Sequence, residues 1–217
     1  MYFSLITPVP GRERDAIRHI HAGVYGEHQC LWRFFPSEVG TPRDHIFRRD
    51  DQGECPRFYV VSGRAPLHEE GVWSIQTRTY EPELDVGDEL EFSLRANPVI
   101  TRKVGDRRQR HDVVMDMRKQ QGEEALREGR HALIHRACAA WLTRQGEQHG
   151  FEPIEGAVSV EGYRQHVAKD GHLRFTSVDF QGALRVRDPV RFQQMLLIGL
   201  GHAKAFGCGL MLVRRPV

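Results

Sequence analysis

Cysteine is scarce and scattered. The chain has four, Cys30, Cys55, Cys138 and Cys208, in 217 residues. None forms a C-x-x-C pair, which argues against a zinc knuckle and against a disulfide framework, so they read as reduced thiols. Long apolar runs are missing as well; none approaches the roughly 18 residues of a membrane span. The N-terminus, Met1-Tyr2-Phe3-Ser4-Leu5-Ile6, has no charged flank or cleavage site of a signal peptide. A cytoplasmic protein without a membrane partner is therefore expected. Despite twelve histidines, there is no H-E-x-x-H and no compact His/carboxylate cluster, so neither a metal nor a cofactor is expected. Low-complexity tracts and short tandem repeats are absent too.

Strong net charge is also lacking, at +2, but its distribution is uneven. From Arg102 through Lys119 there are seven Arg or Lys against three Asp, while acids concentrate at Glu69-Glu70 and from Glu81 to Glu91. A basic stripe on a nearly neutral chain suits a specific phosphate-backbone face. The plain alternative is a solvated charged loop.

With 40% apolar residues, the chain has material for a packed core. Residues 2–9 alternate like a strand. Gly11 to Trp32 reads as a helix from Ile17, Ile20, His21, Val24, His28 and Leu31 at three- and four-residue steps, made irregular by Gly23 and Gly26. Strands are expected at His45–Arg49, Arg57–Val61 and Val72–Thr79, and Gly63–Gly71 is too short for a full helix. The second half opens with an alternating strand, Asp88–Ala96. A long helical pattern follows over Gly122–Gly150, then strands over Gly156–Tyr163 and Leu173–Val186. Asp188-Pro189 opens another helix, with Asp at the N-cap and Pro at the first helical position. Gly199 and Gly201 stop it before a last strand, Leu210–Arg214. Each half reads as a split βαβ unit. The expected fold is α+β, with two tandem ferredoxin-like (βαββαβ) domains at 1–85 and 86–217 and the second helix of the first shortened.

Three segments carry a resemblance. One is Tyr25-Gly26-Glu27-His28-Gln29-Cys30-Leu31-Trp32, with Phe35-Pro36 and Arg43-Asp44-His45-Ile46-Phe47 after it. Another is Leu94-Arg95-Ala96-Asn97-Pro98. The last runs from Gly199-Leu200-Gly201-His202 through Lys204 to Gly209-Leu210. In this order and spacing they resemble the CasE family, the CRISPR RNA-processing endoribonucleases of subtype I-E systems. The resemblance implies two fused ferredoxin-like domains and binding to the CRISPR repeat stem-loop RNA. It further implies one cut at the 3′ base of the stem, after which the guide RNA stays with the enzyme in the Cascade complex. Partners would be the repeat RNA and the other Cascade subunits, and the protein alone would be monomeric. The family's active-site His falls at His28, with Tyr25 as the Tyr that some members use. The glycine-rich loop, with Gly201 and Gly207, matches a loop used against RNA. The basic segment matches in position and charge only.

Chemistry fits that expectation. RNA carries its own nucleophile, the 2′-hydroxyl, so cleavage to a 2′,3′-cyclic phosphate and a 5′-hydroxyl needs proton transfer and charge stabilisation but no metal. Imidazole, with its ordinary pKa of about 6.5, can give or take a proton near neutrality. Three residues apart on a helix, Tyr25 and His28 share a face, whereas Leu31, Trp32 and Phe35 read as core. A His on a helix face is by itself more often structural, as His19 and His21 illustrate. Cations for the phosphate are sought in Arg33, Arg43 and Lys204; the last sits among glycines that let backbone N–H groups approach an anion. Arg102, Lys103, Arg107, Arg108 and Arg110 would lie on a loop or hairpin against an RNA stem, read through phosphates and helix shape. Two other readings stay open: a non-catalytic RNA-binding subunit on the same fold, and a metal-dependent nuclease, disfavoured by the scattered ligands.

Overall fold

The computed structural model describes residues 1–20, 23–38, 40–51, 53, 55–67, 71–122, 129–167 and 174–216, with the side chains of 23–25 and 104 outside that description. In the first half, strand β1 (Tyr2–Pro8) leads through helices α1 (Glu13–His19) and α2 (Gly23–Trp32) to β2 (His45–Arg49), β3 (Phe58–Ser62) and β4 (Trp73–Thr79). These strands form an antiparallel sheet of order β2-β3-β1-β4. The second half runs β5 (Glu89–Ala96), β6 (Val99–Val104), β7 (Arg107–Asp112), α3 (Val113–Gln121) and α4 (Arg130–His149). It continues with β8 (Phe151–Val167), β9 (Arg174–Val186), α5 (Pro189–Ile198), a 3₁₀ turn (Lys204–Phe206) and β10 (Met211–Arg214). Its sheet has the order β10-β5-β9-β8. Both sheets have the strand order of a ferredoxin-like unit, so the chain has the expected tandem α+β fold. Among the described residues between β3 and β4 there is no helix, in line with the shortened second helix.

Alternation builds the larger core. In β5, Leu90, Phe92, Leu94 and Ala96 are buried while the residues between them are not, as a strand covered on one face requires. Against them α4 lays Leu133, Ile134, Ala137, Cys138, Trp141 and Leu142, and α5 adds Phe192, Met195 and Leu196. Full burial of a side chain such as Leu94 is worth about 2–3 kcal/mol. The smaller core joins Ile6, Ala16, Ile20, Leu31, Phe34, Phe35, Phe47, Phe58 and Trp73. A third cluster, Ile46, Val61 and Leu210, joins strands of both sheets. Edge strand β2 is therefore covered on both faces: Phe47 belongs to the first core and Ile46 to the junction.

Four expectations need correction. The single helix over 11–32 is two, because the helical pattern stops at Ile20, whose N–H turns back to the Ile17 carbonyl at 3.2 Å. Within the basic stripe lies an unexpected helix, α3, set by Asp112, whose side chain accepts from the N–H groups of Val114 (2.9 Å) and Met115 (3.0 Å). The expected helix over 122–150 begins, among the described residues, at Arg130. Strand β8 is far longer than 156–163, because two register shifts break its alternation. Leu173, the expected start of β9, lies outside the described residues.

No helix among the described residues is long and apolar enough to cross a membrane.

Candidate active site and nucleic-acid interface

The first and last motifs of the sequence meet in space. Helix α2 and strand β2 both touch the 3₁₀ turn at Lys204–Phe206. The Phe206 ring lies 6.0 Å from the His28 ring and stacks on Phe175 of β9 at 5.4 Å. Ahead of the turn, Ala203 adopts φ +57°, a left-handed conformation uncommon outside glycine. Gly207, at φ +77°, lets the chain pass over Phe47: a Cβ there would stand 3.3 Å from the ring.

His28 is half-buried in this corner. The indole N–H of Trp32 donates to its Nε2 at 3.0 Å, with the two rings edge-on. An indole nitrogen can only donate, so Nε2 is the acceptor and the neutral ring carries its proton on Nδ1. Burial first, then the Arg43 charge, push the His28 pKa below its ordinary value, against the backbone of Ala205, which favours the charged ring. Imidazole, not imidazolium, is the resting form.

Arg43 has no carboxylate partner among the described residues, and its buried Nη1 has no hydrogen-bond partner. Burial lowers its proton affinity, and burial followed by the Arg43 charge does the same to Lys204. Two cations thus share a partly dehydrated corner with a neutral imidazole, an arrangement that favours an incoming anion. Lys204 is also tethered, its Nζ donating to the Ile198 carbonyl at the end of α5 (2.9 Å). Behind His28, His45 stacks on Phe35 at 4.5 Å; burial and then Arg43 push its pKa down to about 4.

The other expected site residues are placed unevenly. Arg33 turns towards α1, where its Nη1 lies 3.4 Å from His19. Tyr25 falls within α2, but its side chain lies outside the described residues. Gly201 fits closely under Trp141, where a Cβ would be 3.4 Å from the indole. The basic segment is a hairpin, β6–β7, turned at Gly105 with φ +59°, as the first position of a type II′ turn requires. Lys103 pairs with Arg108, and Thr101 with Arg110, so alternation puts these three cations on one face. They and Arg107 are exposed. Arg102 points to the other face and is held bidentately by Asp116 of α3 at 2.7 and 3.1 Å. Arg110 Nη1 lies 3.4 Å from His202 Nδ1, which connects the hairpin to the glycine-rich loop.

Sequence reasoning missed Trp32, which it assigned to the core; the four-residue step from His28 was the available signal. It also missed His45 and His202, which no periodicity marks. Among the described residues, no three His, Cys, Asp or Glu gather at metal-ligand distance.

Two ferredoxin-like units in one chain, with the His28 imidazole close to the cations Arg43 and Lys204, define a tandem ferredoxin-like protein with a cationic corner. The chain belongs to the family described as CRISPR associated protein, whose model matches residues 1–215. It is 28% identical over 215 residues to the CRISPR system Cascade subunit CasE of Escherichia coli, covering 97% of this chain and 98% of that one. It is 29% identical over 153 residues to the CRISPR-associated endoribonuclease Cse3 of Thermus thermophilus, covering 63% and 60% of the two chains. In fold it is similar to a solved structure of Thermus thermophilus Cse3 bound to an RNA representing a pre-cleavage complex. That match has a TM-score of 0.72 at 24% identity and covers 99% of this chain and 100% of the other.

Proposed function

We propose that this chain is an endoribonuclease that cuts CRISPR precursor RNA at the 3′ base of the repeat stem-loop and remains with the guide RNA in a Cascade assembly. Family membership supports the substrate and partners. The observation that carries the chemistry is the neutral His28 beside Arg43, whose Nη1 is an unfilled donor. The 2′-oxygen attacks the adjacent phosphorus, the bond from phosphorus to the 5′-oxygen breaks, the leaving 5′-oxygen takes a proton from water, and a 2′,3′-cyclic phosphate and a 5′-hydroxyl result. Neutral at rest, His28 takes the 2′-hydroxyl proton as general base, exchanging the Trp32 N–H for the substrate hydroxyl at Nε2. Arg43 and Lys204 balance the charge that grows on the phosphate, and Tyr25 positions the nucleotide. No metal is assigned a step.

The stem lies along the hairpin face of Lys103, Arg108 and Arg110. The chain divides near residue 85 into a domain carrying the imidazole (1–85) and one carrying the hairpin and the glycine-rich loop (86–217). It works as a monomer in the cytoplasm until assembled. The test incubates the protein with repeat-hairpin RNA in EDTA, beside His28→Ala. Cleavage to a cyclic-phosphate end by the wild type, lost in the variant while binding persists, is expected. Binding without cleavage by the wild type would mean a scaffold, and cleavage abolished by EDTA would overturn the metal-free chemistry.

A further inference from the structure

Near the His28 corner lies a cavity of 380 Å³, between the base of the β6–β7 hairpin, the last turns of α4 and the glycine-rich loop. Its walls include Asn97, Trp141, Gln145, Gln148, His149 and His202. Asn97 is 7% exposed, and its Oδ1 is buried with no hydrogen-bond partner. Such an acceptor is costly to leave unpaired, and Asn97 lines the cavity. Asn97 cannot withdraw readily, because Ala96 before it is fully buried and the Pro98 carbonyl after it accepts from Val113 N–H at 3.2 Å.

The lining is polar but uncharged. Burial, then the charge of Lys204, hold His149 below its ordinary pKa; burial, then Arg110 and Lys204, do the same for His202. Arg110 and Lys204 act on the cavity from outside it, Arg110 through its contact with His202. A phosphate would seek those cations, which lie outside the cavity. A nucleobase instead presents neutral donors and acceptors, which amides and neutral imidazoles match. Unpaired RNA bases splayed from a helix are recognised through such edges. A cavity of this size lies in the range that encloses small organic groups.

We infer that this cavity binds one unpaired nucleobase bearing an exocyclic amino group, donated by the nucleotide that flanks the scissile phosphate outside the stem. Adenine is the favoured occupant, because an amide side chain meets its amino group and ring nitrogen through two hydrogen bonds. The assignment rests on the RNA-cutting reading above and adds to it a specificity-determining contact. Lys204 joins the two places, since its charge acts on His149 and His202 while Arg43, beside His28, acts on it.

The test measures affinity for repeat-hairpin RNA made uncleavable by a 2′-deoxy nucleotide. The RNA carries adenosine, uridine or an abasic unit at the first unpaired position on either side of the stem. Wild-type protein should favour adenosine over the abasic RNA by about tenfold at one of the two positions. Asn97→Leu should remove that preference, as should Gln148→Ala, an exposed change that leaves the core untouched. Both variants should keep wild-type affinity for a blunt hairpin. Equal binding of all three RNAs by the wild type, with the blunt hairpin bound well, overturns the base pocket alone. Failure of the wild type to bind any hairpin overturns the RNA reading and the pocket with it. A preference that survives in both variants places the base elsewhere and overturns the assignment.

Discussion

Replacing Trp32 by Phe isolates one hydrogen bond at the proposed catalytic ring. The indole N–H reaches His28 Nε2 at 3.0 Å, and the rings meet edge-on with centroids 5.9 Å apart. Phenylalanine keeps an aromatic edge there but loses the donor. The bond exists only while Nε2 is unprotonated, so it stabilises the neutral ring and opposes proton uptake. A neutral intramolecular hydrogen bond is worth about 1 kcal/mol net. Its loss should therefore raise the proton affinity of His28 about fivefold. The ring signals of His28, followed by NMR against pH, should titrate at higher pH in Trp32→Phe. If His28 is the base, the acidic limb of the single-turnover pH–rate profile moves up by the same amount. Well down that limb the rate falls by up to about fivefold while the plateau is kept. Movement of the alkaline limb instead would make His28 the acid. An unchanged titration would refute the assignment of the neutral tautomer, and with it the reason for calling the ring a poised base.

Changing Arg107, Arg108 and Arg110 together to Ala should weaken hairpin RNA binding and reduce its log–log salt slope by about 2 to 3, measured by titration across salt concentrations; an unaltered slope would remove the hairpin from the RNA interface. The folded protein should lose stability in acid through His45, which takes up a proton near pH 6.5 when unfolded but only at about 4 when folded. Its contribution is full above about pH 6.5 and declines by about 3 kcal/mol as the pH falls to 4; denaturant melts should show His45→Leu with a flatter dependence over that window. Gly150 ends α4 at φ +78°, and a Cβ there would stand 2.4 Å from the Asp188 carbonyl oxygen. Gly150→Ala should therefore lower stability by more than about 2 kcal/mol, read as a drop in Tm of about 5 °C or more.

Most strands and helices are legible in the sequence, because period-two and period-3.6 burial patterns are local. β5 and α5 are the clearest cases, since their alternation and Asp188-Pro189 cap need no partner to be recognised. Where local pattern is interrupted, boundaries were lost. The register shifts hid the ends of β8, and a run of charge masked α3 even though its Asp112 cap was in view. The three motifs supplied the family and the candidate residues, but a motif has no position in space. It takes the folded chain to bring His28 and Lys204, 176 residues apart, into one corner. Packing of β2 between the two halves fixes that, and the contact is non-local. Tertiary structure also decided that Trp32 serves His28 instead of the core, that Arg33 turns away to His19, and that Arg102 is already engaged by Asp116. Each of these depends on what faces a side chain, and the pKa directions at His28, His45 and Lys204 depend on it too, since desolvation is a property of the folded environment.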